Sequence, residues 1–306
     1  MSQCQPQFGH ETVEGVGSVL MDPTRDLAER FRALFTLRGI GTEEAIHQIS
    51  RCFGDPSALL KHECAYCLGQ IQDCRAILIL KAVLEDSSQE PMVRHEAAEA
   101  LGAIGDASVC DTLKKYSEDS APEVAETCQI ALNRIEWLVD QDGGDFRDNN
   151  PYHAVDPAPP FTNGSSREWQ KQLNDTSLPL FQRYRAMFAL RNQGGRDAVL
   201  ALASGFGDSS ALLKHELAYI LGQIKNEAAV PILRDKLSDL QENPMVRHEC
   251  AEALGSIATK ECMETLQKFL NDDERVVRES CVVALDMYEY EKSNVFQYAD
   301  TVSKIS

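Results

Sequence analysis

One stretch of this chain is written twice. Residues 53–71 read FGDPSALLKHECAYCLGQI and residues 206–224 read FGDSSALLKHELAYILGQI, identical at sixteen of nineteen positions at an offset of 153. Residues 91–104 (PMVRHEAAEALGAI) and 244–257 (PMVRHECAEALGSI) agree at twelve of fourteen, at the same offset. The flanks agree too: Phe31, Arg32 and Ala33 correspond to Tyr184, Arg185 and Ala186, and Cys128 to Cys281. A fixed internal offset over such lengths marks a tandem duplication, so the chain must fold as two similar halves.

A shorter period runs inside each half. His62 and His95 are 33 residues apart, and so are His215 and His248. Each period holds two segments with apolar residues at helical spacing, separated by turn residues. Residues 73–84 and 226–237 supply the first helix of a unit. The second opens near Pro91 or Pro244, where proline fits a first helical turn, and runs to Gly102 or Gly255. Two short amphipathic helices cannot bury their apolar faces alone, so such units must stack. The pattern predicts an all-α chain without strands: an α-solenoid of HEAT-like helical hairpins, about four per half. Residues 140–174 break the pattern with Gly143-Gly144, Asn149-Asn150-Pro151 and Pro159-Pro160. They read as a linker between an N-terminal half (1–139) and a C-terminal half (175–306), long enough to let the halves face each other.

Hydrophobic residues make up 43% of the chain and charged residues 25%, the profile of a globular protein. No run approaches the roughly 20 apolar residues that span a bilayer. Residues 1–22 are polar and lack a basic segment leading into an apolar one, so no secretory signal is expected and the chain is placed in the cytoplasm. Most of the ten cysteines fall inside apolar helical patterns, as buried reduced side chains do. Cys64-x-x-Cys67 corresponds to Leu217 and Ile220 in the second half, which marks the position as apolar and not redox-active. The charge balance, 30 − 48 = −18, argues against nucleic acid and anionic membrane as partners and suits a cationic ligand or a basic protein surface.

Four of the seven histidines are followed directly by glutamate: His62-Glu63, His95-Glu96, His215-Glu216 and His248-Glu249. The outer units are an internal control. At the matching positions they carry Phe31-Arg32, Glu126-Thr127, Tyr184-Arg185 and Glu279-Ser280, so the repeat does not need His-Glu to fold. One such pair would be read as local capping or packing. Four in register imply convergence, and buried imidazoles and carboxylates need something to neutralise them, most simply a metal. Two His and one Glu without thiolate form the facial set of non-haem iron that activates O2. Each half offers one set, His62, His95 and Glu96 or His215, His248 and Glu249, and facing halves would bring two ions within reach of a shared bridge. Glu63 and Glu216 point about 100° away from the preceding His. They are expected to grip a cationic substrate or to support the ligands from behind. Lys61, Lys214, Tyr66, Tyr219, Met92 and Met245 recur with the motif, and packing is the expected role of the tyrosines and methionines. His10, His47 and His153 fall outside the pattern.

The duplicated SALLKHE-x-AY-x-LGQ and EPMVRHE-x-x-EALG motifs resemble those of the deoxyhypusine hydroxylase family over nearly the whole chain. The second half departs only in Asn243, which stands where the first has Glu90. The resemblance implies a cytoplasmic monooxygenase with two iron ions and O2. It implies His62, Glu63, His95, Glu96, His215, Glu216, His248 and Glu249 as its functional residues. It also implies, as substrate and partner, translation initiation factor 5A carrying deoxyhypusine, a lysine extended by an aminobutyl group. The chain carries no flavin or nicotinamide fingerprint, so electrons are expected from outside, and it is expected to act as a monomer. A non-catalytic HEAT adaptor, a bilin lyase with similar repeats and a metal-dependent hydrolase are the alternatives.

Overall fold

The computed structural model describes residues 10–140 and 150–292. Among these residues there are sixteen α-helices and no strand. The first half contains α1 (His10–Met21), α2 (Leu27–Ile40), α3 (Glu43–Ser50), α4 (Ala58–Ile71), α5 (Ile77–Glu85), α6 (Pro91–Ile104), α7 (Cys110–Tyr116) and α8 (Pro122–Asp140). The second contains α9 (Ser166–Leu173), α10 (Leu180–Gln193), α11 (Gly195–Ala203), α12 (Ala211–Ile224), α13 (Val230–Ser238), α14 (Pro244–Ile257), α15 (Lys260–Lys268) and α16 (Arg275–Lys292). These are four hairpins per half, an α-solenoid as the periodicity predicts. Helix α9 falls inside the stretch read as a linker. Its start is a capping box, in which Ser165 and Glu168 satisfy each other's backbone N–H groups.

The even-numbered helices face inward, and six of the eight are set by an anchor at their start. Arg30, Arg94, Arg183 and Arg247 are buried, and each donates Nε to a carbonyl ten residues upstream (Leu20, Leu84, Leu173 or Leu237). Each also pairs with an aspartate twenty-five residues downstream: Asp55, Asp119, Asp208 or Asp272. In α4 and α12 the same position holds Lys61 and Lys214, paired with Glu90 and Glu242. Each arginine thus satisfies a carbonyl at the end of the preceding outer helix that has no partner within that helix. In these six helices, which include all four that carry a motif histidine, the anchor fixes the register one residue before the His position; α8 has Ala125 there.

Glycines then bring neighbouring inner helices together. A Cβ on Gly69 would lie 2.8 Å from Ala100 Cα, and one on Gly222 would lie 3.0 Å from Ala253 Cα. Gly102 and Gly255 meet Ala131 and Ala284 in the same way. Gly69→Ala is expected to push α4 from α6 at a cost of about 1–3 kcal/mol. Thermal unfolding should show a fall of about 2–10 °C. Gly54→Ala, with nothing within 4 Å, should change little.

The halves close on each other. Helix α16 packs against α2 and α4, and α8 packs against α10 and α12. The outer units use the His position for this closure: Glu279 accepts from Ser57 Oγ and Glu126 from Ser210 Oγ, both at 2.7 Å. Two apolar cores result, one per half. The described residues of the segment between the halves are anchored as well. Asp156 forms a buried ion pair with Arg191, and Gln70 both donates to and accepts from the backbone of Val155.

Candidate metal centre

Each of the four motif histidines is the fifth residue of its helix, on α4, α6, α12 and α14. With the register fixed by the anchors and the spacing by the glycines, the four rings converge. Ring centres are 5.4 Å apart for His62 and His95, and 5.2 Å for His215 and His248. Across the halves the separations are as short: 5.7 Å for His62–His215, 5.5 Å for His62–His248 and 5.5 Å for His95–His215. All four histidines and their four glutamates are buried.

The carboxylates complete the cluster. His62 Nε2 lies 3.3 Å from Glu96 Oε2, and His215 Nε2 lies 3.4 Å from Glu249 Oε2. Donor atoms of His62, His95 and Glu96 all fall within 4.8 Å of one another, as do those of His62, His215 and His248, and those of His248, Glu249 and Glu252. Both ring nitrogens of His62, His95 and His215, Nε2 of His248 and Oε1 of Glu216 find no hydrogen-bond partner among the described residues. A buried polar atom without a partner costs about 1–3 kcal/mol. A cluster of such atoms fits a bound cation, and a donor set of imidazole and carboxylate suits iron.

Charge regulation agrees. Burial lowers His95 well below the usual histidine range, helped by His62 and His215. Burial and His62 bring His215 down to about 3, and burial with the other three imidazoles holds His248 low. All three are therefore neutral and able to coordinate. His62 also suffers burial, but the Glu96 and Glu63 carboxylates outweigh it and raise its pKa. Burial raises Glu249 to about 8, and it raises Glu99, Glu216 and Glu252 strongly.

These shifts set the pH response of the metal-free protein. Between 4.5 and about 8 the folded chain keeps the Glu249 proton that the unfolded chain has shed, so stability declines as pH rises. Glu99, Glu216, Glu252 and His62 act in the same direction. His215 acts oppositely between about 3 and 6.5, where the unfolded chain binds the extra proton. Metal-free protein should therefore melt highest at about pH 6 and several degrees lower at about pH 8.5. Loading with divalent metal should abolish the alkaline decline, because ionised carboxylates and neutral imidazoles are then ligands. A melting temperature of metal-free protein that rises steadily to pH 8.5 contradicts this account.

A cavity of about 370 Å³ stands over the cluster, lined by His62, Glu63, Glu96, His215, Glu216 and Glu249 at its base. Glu99 and Glu252 also line it, and the sequence reading passed over them. Their signal was present: each stands four residues after a motif histidine, and they match at the 153-residue offset. Tyr66 and Tyr219, expected to pack, line the cavity as well, with their hydroxyls 2.9 Å apart across the two halves. Met92 and Met245 belong to the cores, as expected. His47 and His153 are exposed, and the side chain of His10 lies outside the described residues.

Known proteins share both the repeats and the whole chain. The HEAT repeats model matches residues 235–294, and the PBS lyase HEAT-like repeat model matches residues 60–86, 93–119 and 213–239. Human deoxyhypusine hydroxylase is 58% identical over 295 residues, which are 96% of this chain and 97% of the human one. This chain belongs to the deoxyhypusine hydroxylase family. The Xenopus laevis deoxyhypusine hydroxylase is 61% identical over 293 residues, with 96% of each chain covered. The solved structure of human deoxyhypusine hydroxylase in complex with glycerol superposes with a TM-score of 0.90 at 59% identity, covering 92% of this chain and 97% of that one. Membership in the deoxyhypusine hydroxylase family makes the chain an enzyme, and the adaptor alternative gives way. No described helix is long and apolar enough to cross a membrane.

Proposed function

We propose that this chain hydroxylates the deoxyhypusine side chain of translation initiation factor 5A, using O2 and a pair of iron ions, as a cytoplasmic monomer. One observation carries the reading: four imidazoles and their glutamates meet in one buried cluster, and seven of the eight ring nitrogens have no hydrogen-bond partner among the described residues. One iron would be held by His62, His95 and Glu96, the other by His215, His248 and Glu249. On this reading residues 1–139 and 175–306 each bring one ligand set, and residues 140–174 join them. Bound iron supplies the activation of O2 that no side chain can. One oxygen atom enters a C–H bond of the substrate. The other leaves as water, with two electrons and two protons from an outside donor.

The remaining work falls to the protein's own residues. Phe31, Phe35, Val283 and Met287 give the cavity an apolar sleeve for the methylenes of an extended lysine. Glu63 and Glu216 stand at its base, where Glu216 would accept hydrogen bonds from the substrate's ammonium and amine groups and Glu63, 3.5 Å from His62 Nδ1, would support that imidazole from behind. A net charge of −18 favours the approach of such a cationic side chain. Burial of the cluster keeps bulk water from the reacting carbon.

The test uses freshly purified full-length protein. Metal analysis should find about two irons per chain. Factor 5A carrying deoxyhypusine should gain the mass of one oxygen atom on incubation with iron-loaded protein, and only with O2 present. Zinc as the sole metal, or turnover without O2, would remove this function.

A further inference from the structure

Duplication should give the buried chamber two equivalent mouths, and the chain keeps one of them. The cavity reaches the surface between α2 and α16, past Phe31, Arg32, Phe35, Asp286 and Met287, with Gln223 on α12. At the 153-residue offset their counterparts are Tyr184, Arg185, Phe188, Asn133, Arg134 and Gln70. None of these six lines the cavity.

The segment between the halves lies across them instead. Gln70 makes two hydrogen bonds to Val155, at 3.2 and 2.9 Å. Arg134 donates Nε to Asp156 O at 2.9 Å, where its counterpart Met287 faces the cavity. Arg185 donates to Pro159 O at 3.1 Å and stacks 4.4 Å over the Phe161 ring. Its counterpart Arg32 instead pairs with Asp286 across the open seam, at 2.5 and 2.7 Å. Residues 156–159 are buried throughout. Behind them Phe181 replaces Ala28, and Tyr184 replaces Phe31 with its hydroxyl donated to Leu212 O.

We propose that residues 155–161 are a built-in plug that makes a two-fold scaffold one-ended, so that a cationic side chain presented by a folded partner protein reaches the chamber only between α2 and α16. This rests on the substrate class assigned above. The plug is held by side chains from both halves: Gln70 and Arg134 from the first, Arg185 and Arg191 from the second. It therefore sits where the pseudo-symmetry would otherwise present a second mouth. Two halves that are nearly identical in their motifs become inequivalent towards substrate. The partner's side chain always meets Phe31, Arg32 and Asp286, and never Tyr184, Arg185 and Asn133.

The test blocks each mouth after folding. Met287→Cys on the open rim and Asn133→Cys on the plugged one are purified as metal-loaded full-length protein and labelled with a biotin methanethiosulfonate. The parent chain is labelled in parallel, because Cys74 is exposed. Binding of octamethylenediamine is measured by calorimetry before and after labelling, and the extent of labelling by mass. Labelled Met287→Cys should bind about tenfold more weakly or worse. Labelled Asn133→Cys should bind as the parent does. Undiminished binding by labelled Met287→Cys, or a comparable loss at Asn133→Cys, overturns the plug while leaving the substrate class standing. A parent chain that takes up no diamine overturns the substrate class, and the plug as an access device with it.

Discussion

His95→Ala is expected to hold about one iron per chain where the parent holds about two, and to turn over roughly a thousandfold more slowly. The imidazole of His95 is fully buried and neither of its nitrogens has a hydrogen-bond partner, so the side chain contributes little that stabilises the metal-free fold. Its removal takes one donor from the set with His62 and Glu96, whose atoms otherwise lie within 4.8 Å of one another. A ligand present at about a thousand times its dissociation constant stabilises a fold by about 4 kcal/mol. Iron should therefore raise the melting temperature of the parent by roughly 8 °C, and clearly less in the variant. His47→Ala and His153→Ala, at exposed positions, should match the parent in iron, melting and turnover. A His95→Ala protein that keeps the full iron content and rate would show that the cluster is not the catalytic centre.

How much of this was readable beforehand follows from what the duplication constrains. Copying a 153-residue unit keeps the positions that fold and function both require, so the hairpins and the four His-Glu pairs stood out against outer units that lack them. Spacing of 33 residues already placed His62 beside His95, because stacked inner helices repeat with that period. Glu99 and Glu252 were overlooked because their motif, EALG, reads as ordinary helix surface. Only the closure of the halves turns that face inward, and closure depends on contacts between residues far apart in sequence, such as Ser57 with Glu279. Helix α9 was hidden for a related reason. Its eight residues are strongly polar apart from Trp169 and Leu173, so propensity alone is weak, and the capping box at Ser165 with packing on α10 makes it fold. The pairing of Tyr66 with Tyr219 likewise joins two copies of one position, which no pattern within a half can reveal.

The two glutamates read alike in sequence should separate in experiment. Glu63 Oε1 lies 3.5 Å from His62 Nδ1, whereas Glu216 Oε1 is buried with no hydrogen-bond partner. On the proposed function Glu63 would orient the His62 imidazole as a ligand, and Glu63→Gln is expected to weaken iron binding by about 10- to 100-fold. Glu216 would then be the one to meet the substrate. An amide of the same shape in its place removes a charge-assisted hydrogen bond worth about 1.5–3 kcal/mol. Glu216→Gln should thus lower kcat/KM by roughly 10- to 150-fold while retaining about two irons per chain. Most of that loss should appear in KM, because the interaction is with a distant amine and is made equally in the ground and transition states. Metal analysis and steady-state kinetics on the same preparations separate the roles. Loss of iron from Glu216→Gln would make Glu216 a ligand and leave the gripping of the amine to other carboxylates of the cavity wall, such as Glu99 and Glu252.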